Sequence, residues 1–261
     1  MKIASSAKLK ERIFYKQSEF QKIEVYETQN VGRALFLDDI EQFSEIDEIE
    51  YHRTMTEIPV SIHGKPNNIL IIGGGDGGIA RECLKYDNIK SIDQCEIDEE
   101  VVSVCKKYFP QMASSFDDSR VNLTIDDAKD FVKSINKKYD IILVDSTDPI
   151  NQSKPLFEID FYRDLKNILK NDGLLSCQVQ TPAVDYRIGN KVYSSLYEVF
   201  DYLNFFFCTY LRNNVKENTL FSLSANKQIN IPQEFMANFC LDSKEYQKTK
   251  SFLNKINWIK K

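Results

Sequence analysis

Glycines are concentrated in one short segment of this chain. Five of the nine glycines in 261 residues lie within 73–78, which reads GGGDGG. Within it, Gly73, Gly75 and Gly78 have the G-x-G-x-x-G spacing that lets a chain turn tightly and lets a ligand approach the backbone. The segment follows an apolar run and precedes a helical pattern, as nucleotide-binding loops do. This spacing leaves open NAD, S-adenosylmethionine or one of its relatives as ligand, and also a tight turn that binds nothing.

Two carboxylates accompany the glycine segment. Glu96 lies 23 positions after Gly73, at the end of the next predicted strand, where a carboxylate can accept hydrogen bonds from ribose hydroxyls. Asp76 lies inside the segment, near a helix N-terminus, a position that favours anions. There it would repel a pyrophosphate or an amino-acid carboxylate and attract an ammonium group. Asp76 therefore argues against NAD and favours a ligand with an ammonium, although a helix cap is the other interpretation of this residue.

A second acidic pair follows a largely apolar run at 139–144. The segment 145–149 reads DSTDP, and ligands of open α/β sheets bind at such carboxyl ends of strands. One carboxylate of the pair Asp145 and Asp148 can hold a cation while the other accepts a proton. Pro149 disfavours a helical conformation of the residue before it. A turn with two solvated acids is an equal alternative on these residues alone.

The elements that position these groups alternate along the middle of the chain. Runs typical of buried parallel strands occupy 67–72, 91–97, 121–125, 139–144 and 174–179. Helices are predicted at 79–86, 99–108, 159–169 and 186–203, and closing strands at 205–212 and 219–224. The alternation predicts the α/β class with a doubly wound sheet.

The first sixty residues have a different pattern. Short alternating runs at 21–28 and 34–37 predict a small antiparallel sheet. A helical pattern at 47–58 is predicted to end at Pro59. The predicted division is an N-terminal β-domain at 1–60, a catalytic α/β domain at 61–225 and a helical tail at 226–261.

Composition narrows the class of function. The net charge is −5 and no basic stripe is present, so nucleic acid is not expected as a partner. No apolar run approaches the roughly 18 residues of a membrane span, and the first residues lack the apolar core of a signal peptide. Six scattered cysteines without a C-x-x-C pair predict buried thiols in a reducing cytoplasm. We therefore expect a cytoplasmic protein that acts on small molecules, without a membrane or nucleic-acid partner.

Several motifs taken together resemble the spermidine synthase (polyamine aminopropyltransferase) family. Besides the glycine segment they are CEID at 95–98, DDSRV at 117–121 and DSTDP at 145–149. The N-terminal part agrees, with GRALFLD at 32–38 and DE-x-x-YH at 47–52. The combination is specific because it joins a nucleotide loop to both acidic residues and to the N-terminal segment.

The resemblance implies a fold and a reaction. The family's fold is a small N-terminal antiparallel β-domain followed by a Rossmann-like, methyltransferase-type doubly wound sheet. Its members transfer the aminopropyl group of decarboxylated S-adenosylmethionine to a diamine, usually putrescine, and release methylthioadenosine. The donor is a co-substrate, so no cofactor and no metal are expected. A homodimer is expected, because members often pair.

The resemblance also implies roles for individual residues. The donor pocket is expected to contain Gln21, Leu37, Gln42, His52, Gly73, Gly75, Asp76, Gly78, Glu96, Asp127 and Asp145. Tyr51, Asp145 and Asp148 are expected at the acceptor amine. Asp145 and Tyr51 are the expected catalytic residues, since a protonated amine must lose a proton before it can attack.

Parts of the chain depart from the family pattern. Residues 150–153 replace the usual Gly-Pro, and residues 211–215 replace a Pro-Thr-Tyr-Pro segment whose tyrosine shapes the acceptor pocket. The preferred amine therefore stays open. Two other functions are considered: an S-adenosylmethionine-dependent methyltransferase, and a non-catalytic relic that binds a nucleoside or polyamine. Asp76 and the acidic pair argue against the methyltransferase.

Overall fold

The computed structural model describes residues 7–146, 155–179, 186–212 and 215–231. Its strands are β1 (Leu9–Gln17), β2 (Lys22–Thr28), β3 (Arg33–Leu37), β4 (Ile40–Ser44), β5 (Asn68–Gly73), β6 (Ser91–Glu96), β7 (Val121–Ile125), β8 (Tyr139–Asp145), β9 (Leu169–Val179), β10 (Tyr202–Arg212) and β11 (Val215–Ala225). Its helices are α1 (Glu48–His63), α2 (Gly78–Cys83), α3 (Glu99–Tyr108), α4 (Pro110–Ala113), α5 (Ala128–Ser134), α6 (Ile159–Ile168) and α7 (Tyr186–Val199), with a 3₁₀ turn at Ser114–Asp117. No helix in the described part of the chain has the length and apolar character needed to span a bilayer.

The first four strands form an antiparallel sheet in the order β1-β2-β3-β4. Ile23 and Val25 of β2 are fully buried on the face that packs against α3 and α4. Phe43 of β4 meets Phe109, which lies between those helices, with ring centroids 4.9 Å apart. The predicted antiparallel sheet is confirmed, and it packs directly on the helices of the larger α/β unit.

Seven of the strands in the described part of the chain form the second sheet, in the order β10-β11-β9-β8-β5-β6-β7. The strands from β9 to β7 in that order are parallel, and β11 and β10 extend the sheet in antiparallel fashion. Ile72 pairs with Val144, and Gly73 pairs with Asp145. The ends of β5 and β8 therefore lie side by side. The predicted Rossmann-like doubly wound sheet behind a small antiparallel sheet is confirmed.

Helix α1 continues past the residue at which its end was predicted. Pro59 lies inside the helix, which runs on to His63. An interior proline removes one helical hydrogen bond at a cost of roughly 3 kcal/mol. Met55, Ile58 and Val60 are almost completely buried against the second sheet, and this burial offsets the loss. The predicted division at residue 60 falls inside this helix.

Several other predicted boundaries differ from the observed ones, including the starts of β10 (Tyr202 rather than 205) and β11 (Val215 rather than 219). Helix α2 ends at Cys83 rather than near residue 86, and α7 ends at Val199 because β10 already begins at Tyr202. Strand β9 begins at Leu169, directly after α6, rather than at residue 174. The polar residues at 170–172 hide its early part in the sequence, and the pairing with β8 shifts register between Leu169 and Leu174. Most of the predicted helical tail, 232–261, lies outside the described residues.

Gly73 ends β5 in a conformation that only glycine tolerates well. Its φ is +79°, and an added Cβ would collide with the backbone oxygen of Asp145. We expect Gly73→Ala to lower the free energy of unfolding by about 3 kcal/mol or more, since backbone strain and a rigid clash combine. Gly64→Ala is the matched control, because its φ is +85° but nothing lies within 4 Å of its added Cβ. It should cost about 1 to 2 kcal/mol. Urea unfolding measures both, and equal losses would contradict the clash.

Candidate active site

A cavity of about 330 Å³ opens at the carboxyl ends of β5, β6 and β8, beneath β3, β4 and α1. Most of the residues predicted from the sequence line it: Gln21, Leu37, Gln42, Tyr51, His52, Gly73, Gly75, Asp76, Glu96, Asp127 and Asp145. Gly78 is the first residue of α2 and is not part of the cavity lining. Asp148, the remaining predicted residue, lies outside the described residues. The fold thus brings residues from both sheets to one cavity, and their individual roles stay predictions.

The lining of the cavity is acidic. Its carboxylates are Asp38, Glu41, Asp47, Glu48, Asp76, Glu96, Asp126, Asp127 and Asp145. No lysine or arginine is among the described residues that line it. An excess of one charge in a cleft with low-dielectric walls attracts ligands of the opposite charge. The cavity therefore suits a cation.

Asp76 projects from the glycine loop toward the cavity. Its Oδ1 accepts a hydrogen bond of 2.6 Å from the backbone N–H of Gly78, so Asp76 stabilises the start of α2, although the N-cap residue is Gly77. The same oxygen lies 3.3 Å from Nε2 of His52. Burial would raise the pKa of Asp76, but the charge of His52 and the amide donors hold it below its ordinary value. Asp76 is therefore ionised. It stabilises the glycine loop through Gly78 and adds a negative charge to the cavity.

His52 lies between two carboxylates. Its Nδ1 is 2.9 Å from Oε2 of Glu48, one turn earlier on α1. Burial disfavours the charged ring, yet Asp76 and Glu48 outweigh it and raise the pKa of His52 to about 10. Gly78 makes room for this arrangement, because a Cβ there would collide with the His52 ring. Gly78, which the sequence predicted as a donor-binding residue, thus leaves the space that the His52 ring occupies.

Asp145 ends β8 beside the glycine loop. Its Oδ1 accepts a hydrogen bond of 2.5 Å from the hydroxyl of Tyr51. Burial and the nearby Asp76 carboxylate raise the pKa of Asp145 to about 6, against the lowering effects of His52 and Tyr51. A carboxyl group with this pKa is largely ionised at neutral pH and is a good proton acceptor.

Gln178 is a site residue that sequence reasoning missed. Its Oε1 lies 2.8 Å from the Tyr51 hydroxyl, which also contacts Asp145. A phenol has one proton to donate, so the second contact requires the Gln178 side chain to donate through its amide N–H₂. The signal available in the sequence was its place as a polar residue near the carboxyl end of a predicted strand.

Glu96 and its neighbours form the opposite wall of the cavity. The Glu96 carboxylate accepts N–H groups from Gly75 at 3.1 Å and from Asp98 at 3.0 Å. Burial raises the pKa of Glu96 to about 7, although the backbone of Asp98 lowers it. The Asp98 carboxylate in turn accepts from the side-chain amide of Gln21 at 3.0 Å, which ties the small sheet to this wall. Asp127, which is exposed, caps α5 by accepting from the N–H of Lys129.

A metal ion would find one set of donor atoms here among the described residues. His52, Asp76 and Asp145 each offer one atom, and these atoms lie within 4.8 Å of one another. Both ring nitrogens of His52 already face carboxylates, an arrangement that suits a protonated ring, and a protonated nitrogen cannot ligate a metal. The expectation that no metal is needed stays a prediction.

Family models match the chain in two consecutive segments. Residues 48–234 match the spermine/spermidine synthase domain, and residues 2–45 match the spermidine synthase tetramerisation domain. A polyamine aminopropyltransferase of Methanocaldococcus jannaschii is 41% identical over 180 residues, which cover 69% of this chain and 61% of that protein. One of Clostridium kluyveri is 38% identical over 197 residues, which cover 76% of this chain and 72% of that protein. The match thus spans about three fifths of the length of the M. jannaschii relative.

Solved structures agree with these sequence matches. A spermidine synthase in complex with the transition state analogue AdoDATO superposes with a TM-score of 0.86 at 28% identity, covering 95% of this chain and 90% of that one. Spermidine synthase from Thermotoga maritima gives a TM-score of 0.84 at 28% identity, covering 95% and 89%. With more than half of its length matched by the synthase domain, this chain belongs to the spermine/spermidine synthase family.

Proposed function

We propose that this chain is a polyamine aminopropyltransferase. It transfers the aminopropyl group of decarboxylated S-adenosylmethionine to a diamine, with putrescine as the first candidate and spermidine as the product, and releases methylthioadenosine. The observation that carries the proposal is the pairing of two carboxylates at one acidic cavity: Asp145 in contact with Tyr51, and Asp76 in the glycine loop. One suits an amine that loses a proton, and the other suits an amine that keeps its charge.

The donor half of the cavity follows from its charges. Glu96 ends β6 with its carboxylate toward the cavity, where it accepts the ribose hydroxyls. Asp76 pairs with the ammonium of the aminopropyl group, and the decarboxylated donor brings no carboxylate to oppose it. Leu37 gives the buried apolar wall, while Gln21, Gln42 and Asp127 border the same space.

The acceptor half performs the proton transfer. The amine loses a proton to Asp145, while Tyr51, held by Asp145 and Gln178, hydrogen-bonds the same nitrogen. The freed lone pair attacks the methylene beside the sulfonium. A carbon–nitrogen bond forms as the carbon–sulfur bond breaks, and the electron pair leaves with sulfur as a neutral thioether. Asp148 holds the acceptor in this proposal, and no metal or redox cofactor takes part because the positive charge on sulfur already makes the thioether a good leaving group.

Assembly and location are part of the proposal. The match of residues 2–45 to a tetramerisation domain supports a homo-oligomer, of which a homodimer is the smallest form. Five buried, unpaired thiols among the described residues support a reducing compartment, the cytoplasm.

A product assay tests the proposed function. Purified protein is offered S-adenosylmethionine or its decarboxylated form, each with diaminopropane, putrescine, cadaverine or spermidine. We expect methylthioadenosine from the decarboxylated donor only, in amounts equal to the aminopropylated amine. S-adenosylhomocysteine from the carboxylated donor would establish a methyltransferase instead. Binding of nucleoside or amine without product from either donor would establish the binding relic.

A further inference from the structure

A buried chain of charged groups extends beneath the cavity from α2 to the glycine loop. Arg81 donates to both carboxylate oxygens of Glu48, each at 2.8 Å. Glu48 Oε2 lies 2.9 Å from Nδ1 of His52, and the side chains of Glu48 and His52 are 1% and 2% exposed. A bidentate arginine keeps a carboxylate ionised, so Glu48 is an acceptor and Nδ1 of His52 carries a hydrogen.

The position of the other ring nitrogen then decides the charge of His52. Nε2 lies 3.3 Å from Asp76 Oδ1, which also accepts from the N–H of Gly78. Without a hydrogen on Nε2, two lone pairs would face each other in a largely buried space, so His52 is an imidazolium in the free protein. The ring also packs on Gly78 and edge-on against Tyr51, and it lies in the field of the Asp145 charge. The raised pKa of His52 has the same cause.

We propose that His52 exchanges its proton for the ammonium group of the ligand. When an ammonium reaches Asp76, it adds a second positive charge beside the imidazolium, and the Nε2 proton leaves to solvent. The neutral ring keeps its Nδ1 hydrogen on Glu48, so Nε2 and Asp76 both accept from the ammonium. The cavity thus keeps its charge balance as one cation replaces another. Glu48 and Arg81 act as positioning residues, because they fix which nitrogen faces the ligand.

Proton release gives binding a pH dependence with a definite sign. If one proton leaves for each ligand bound, affinity for the ammonium ligand rises about tenfold for each unit of pH while the ring is charged in the free protein. A ligand without the ammonium group, such as methylthioadenosine, keeps only the weaker dependence that Glu96, with its pKa of about 7, gives to both ligands. The identity of the ammonium ligand as decarboxylated S-adenosylmethionine rests on the proposed function.

Two measurements on the unmodified protein test the exchange. The chain has two histidines, so ring nitrogen NMR with His52→Gln as the assignment standard resolves His52. We expect a doubly protonated ring at pH 7.5 in the free protein and a neutral ring with Nδ1–H in the complex. Calorimetry in phosphate and in Tris should give release of about one proton more for the decarboxylated donor than for methylthioadenosine. A neutral ring in the free protein, or a charged ring in the complex, would overturn the proposal.

Variants of α1 test the positioning residues. Glu48→Gln removes the anion that holds Nδ1, so the ring should titrate at lower pH and release fewer protons on binding. Glu50→Gln is the matched control, since Glu50 lies on the same helix with its side chain 44% exposed and paired with Arg53. Glu50→Gln should leave both the titration of the ring and the number of protons released unchanged. An equal effect of the two variants would show that Glu48 does not position the ring.

Failure of the proposed function is distinguishable from failure of this inference. Proton release on binding without product formation would support the exchange at His52 and contradict the proposed function. Product formation without proton release would support the proposed function and overturn the exchange at His52. Should the donor not bind, propane-1,3-diamine at high concentration supplies the ammonium, and a ring that stays charged at saturation overturns the exchange.

Discussion

Asp145→Asn is expected to lower turnover by a factor on the order of 10² to 10⁴, the range for loss of a general base. Asparagine has nearly the same shape but cannot take a proton from the acceptor amine. Its side-chain oxygen can still accept from the Tyr51 hydroxyl, so the local geometry is retained. Donor affinity, measured by calorimetry, should change much less than turnover at saturating donor. Near-normal turnover would show that another group accepts the proton.

The pH dependence of turnover follows from the same residue. Burial and the Asp76 carboxylate raise the pKa of Asp145 to about 6, so the carboxylate form is lost as the pH falls through that value. Turnover should therefore fall below about pH 6 and rise above it, with a further rise as more amine loses its proton. A rate that is flat from pH 5 to pH 7 would contradict a titrating base here.

Tyr51→Phe tests the contribution of the Tyr51 hydroxyl separately from that of the Asp145 carboxylate. The variant keeps Asp145 but removes the hydrogen bond that stabilises its charged form, and we expect turnover to fall about tenfold. The pKa of Asp145 should rise, because the Tyr51 hydroxyl lowers it in the native protein. The acidic limb of the rate profile should consequently move to higher pH. An unchanged limb would mean that the hydroxyl does not act through the carboxylate.

Much of the α/β sheet could be predicted because burial on both faces leaves a simple pattern. The runs at 69–72 and 141–144 are apolar without alternation, and both lie in the centre of the sheet at no more than 4% exposure. Strand β1 (Leu9–Gln17) is an edge strand with mostly exposed, charged side chains, so it offered no apolar period to detect. The predicted end of α1 at Pro59 was wrong, because burial of the surrounding helix outweighs the tendency of proline to end a helix.

The site residues fall into two groups for a similar reason. Asp76, Glu96 and Asp145 stand at the ends of strands or in the loop that follows, so local pattern already places them at the ligand-binding edge. Gln178 contacts Tyr51 across 127 positions of sequence, and Arg81 contacts Glu48 across 33. Such pairs depend on the packing of α1 against the sheet and α2, which no spacing in the sequence reveals.

Asp76→Asn is expected to weaken binding of decarboxylated S-adenosylmethionine by roughly 30-fold to 5,000-fold, since removing one partner of a buried charge pair costs about 2 to 5 kcal/mol. The asparagine oxygen can still accept from the Gly78 N–H, so the start of α2 is preserved. The variant also removes the main cause that raises the pKa of His52, so the ring should lose its second proton more easily and keep the Nδ1 hydrogen on Glu48.

Comparison of ligands shows whether the lost charge is the cause. Methylthioadenosine lacks the ammonium and should bind the variant almost as well as the native protein, while the preference for the decarboxylated over the carboxylated donor should largely disappear. Asp160→Asn is the matched control, because it removes the same charge from a side chain that is 84% exposed on α6. It should leave all three affinities unchanged. An equal loss of methylthioadenosine binding in Asp76→Asn would mean that the residue shapes the loop rather than recognising the ammonium, since only the donors carry that group.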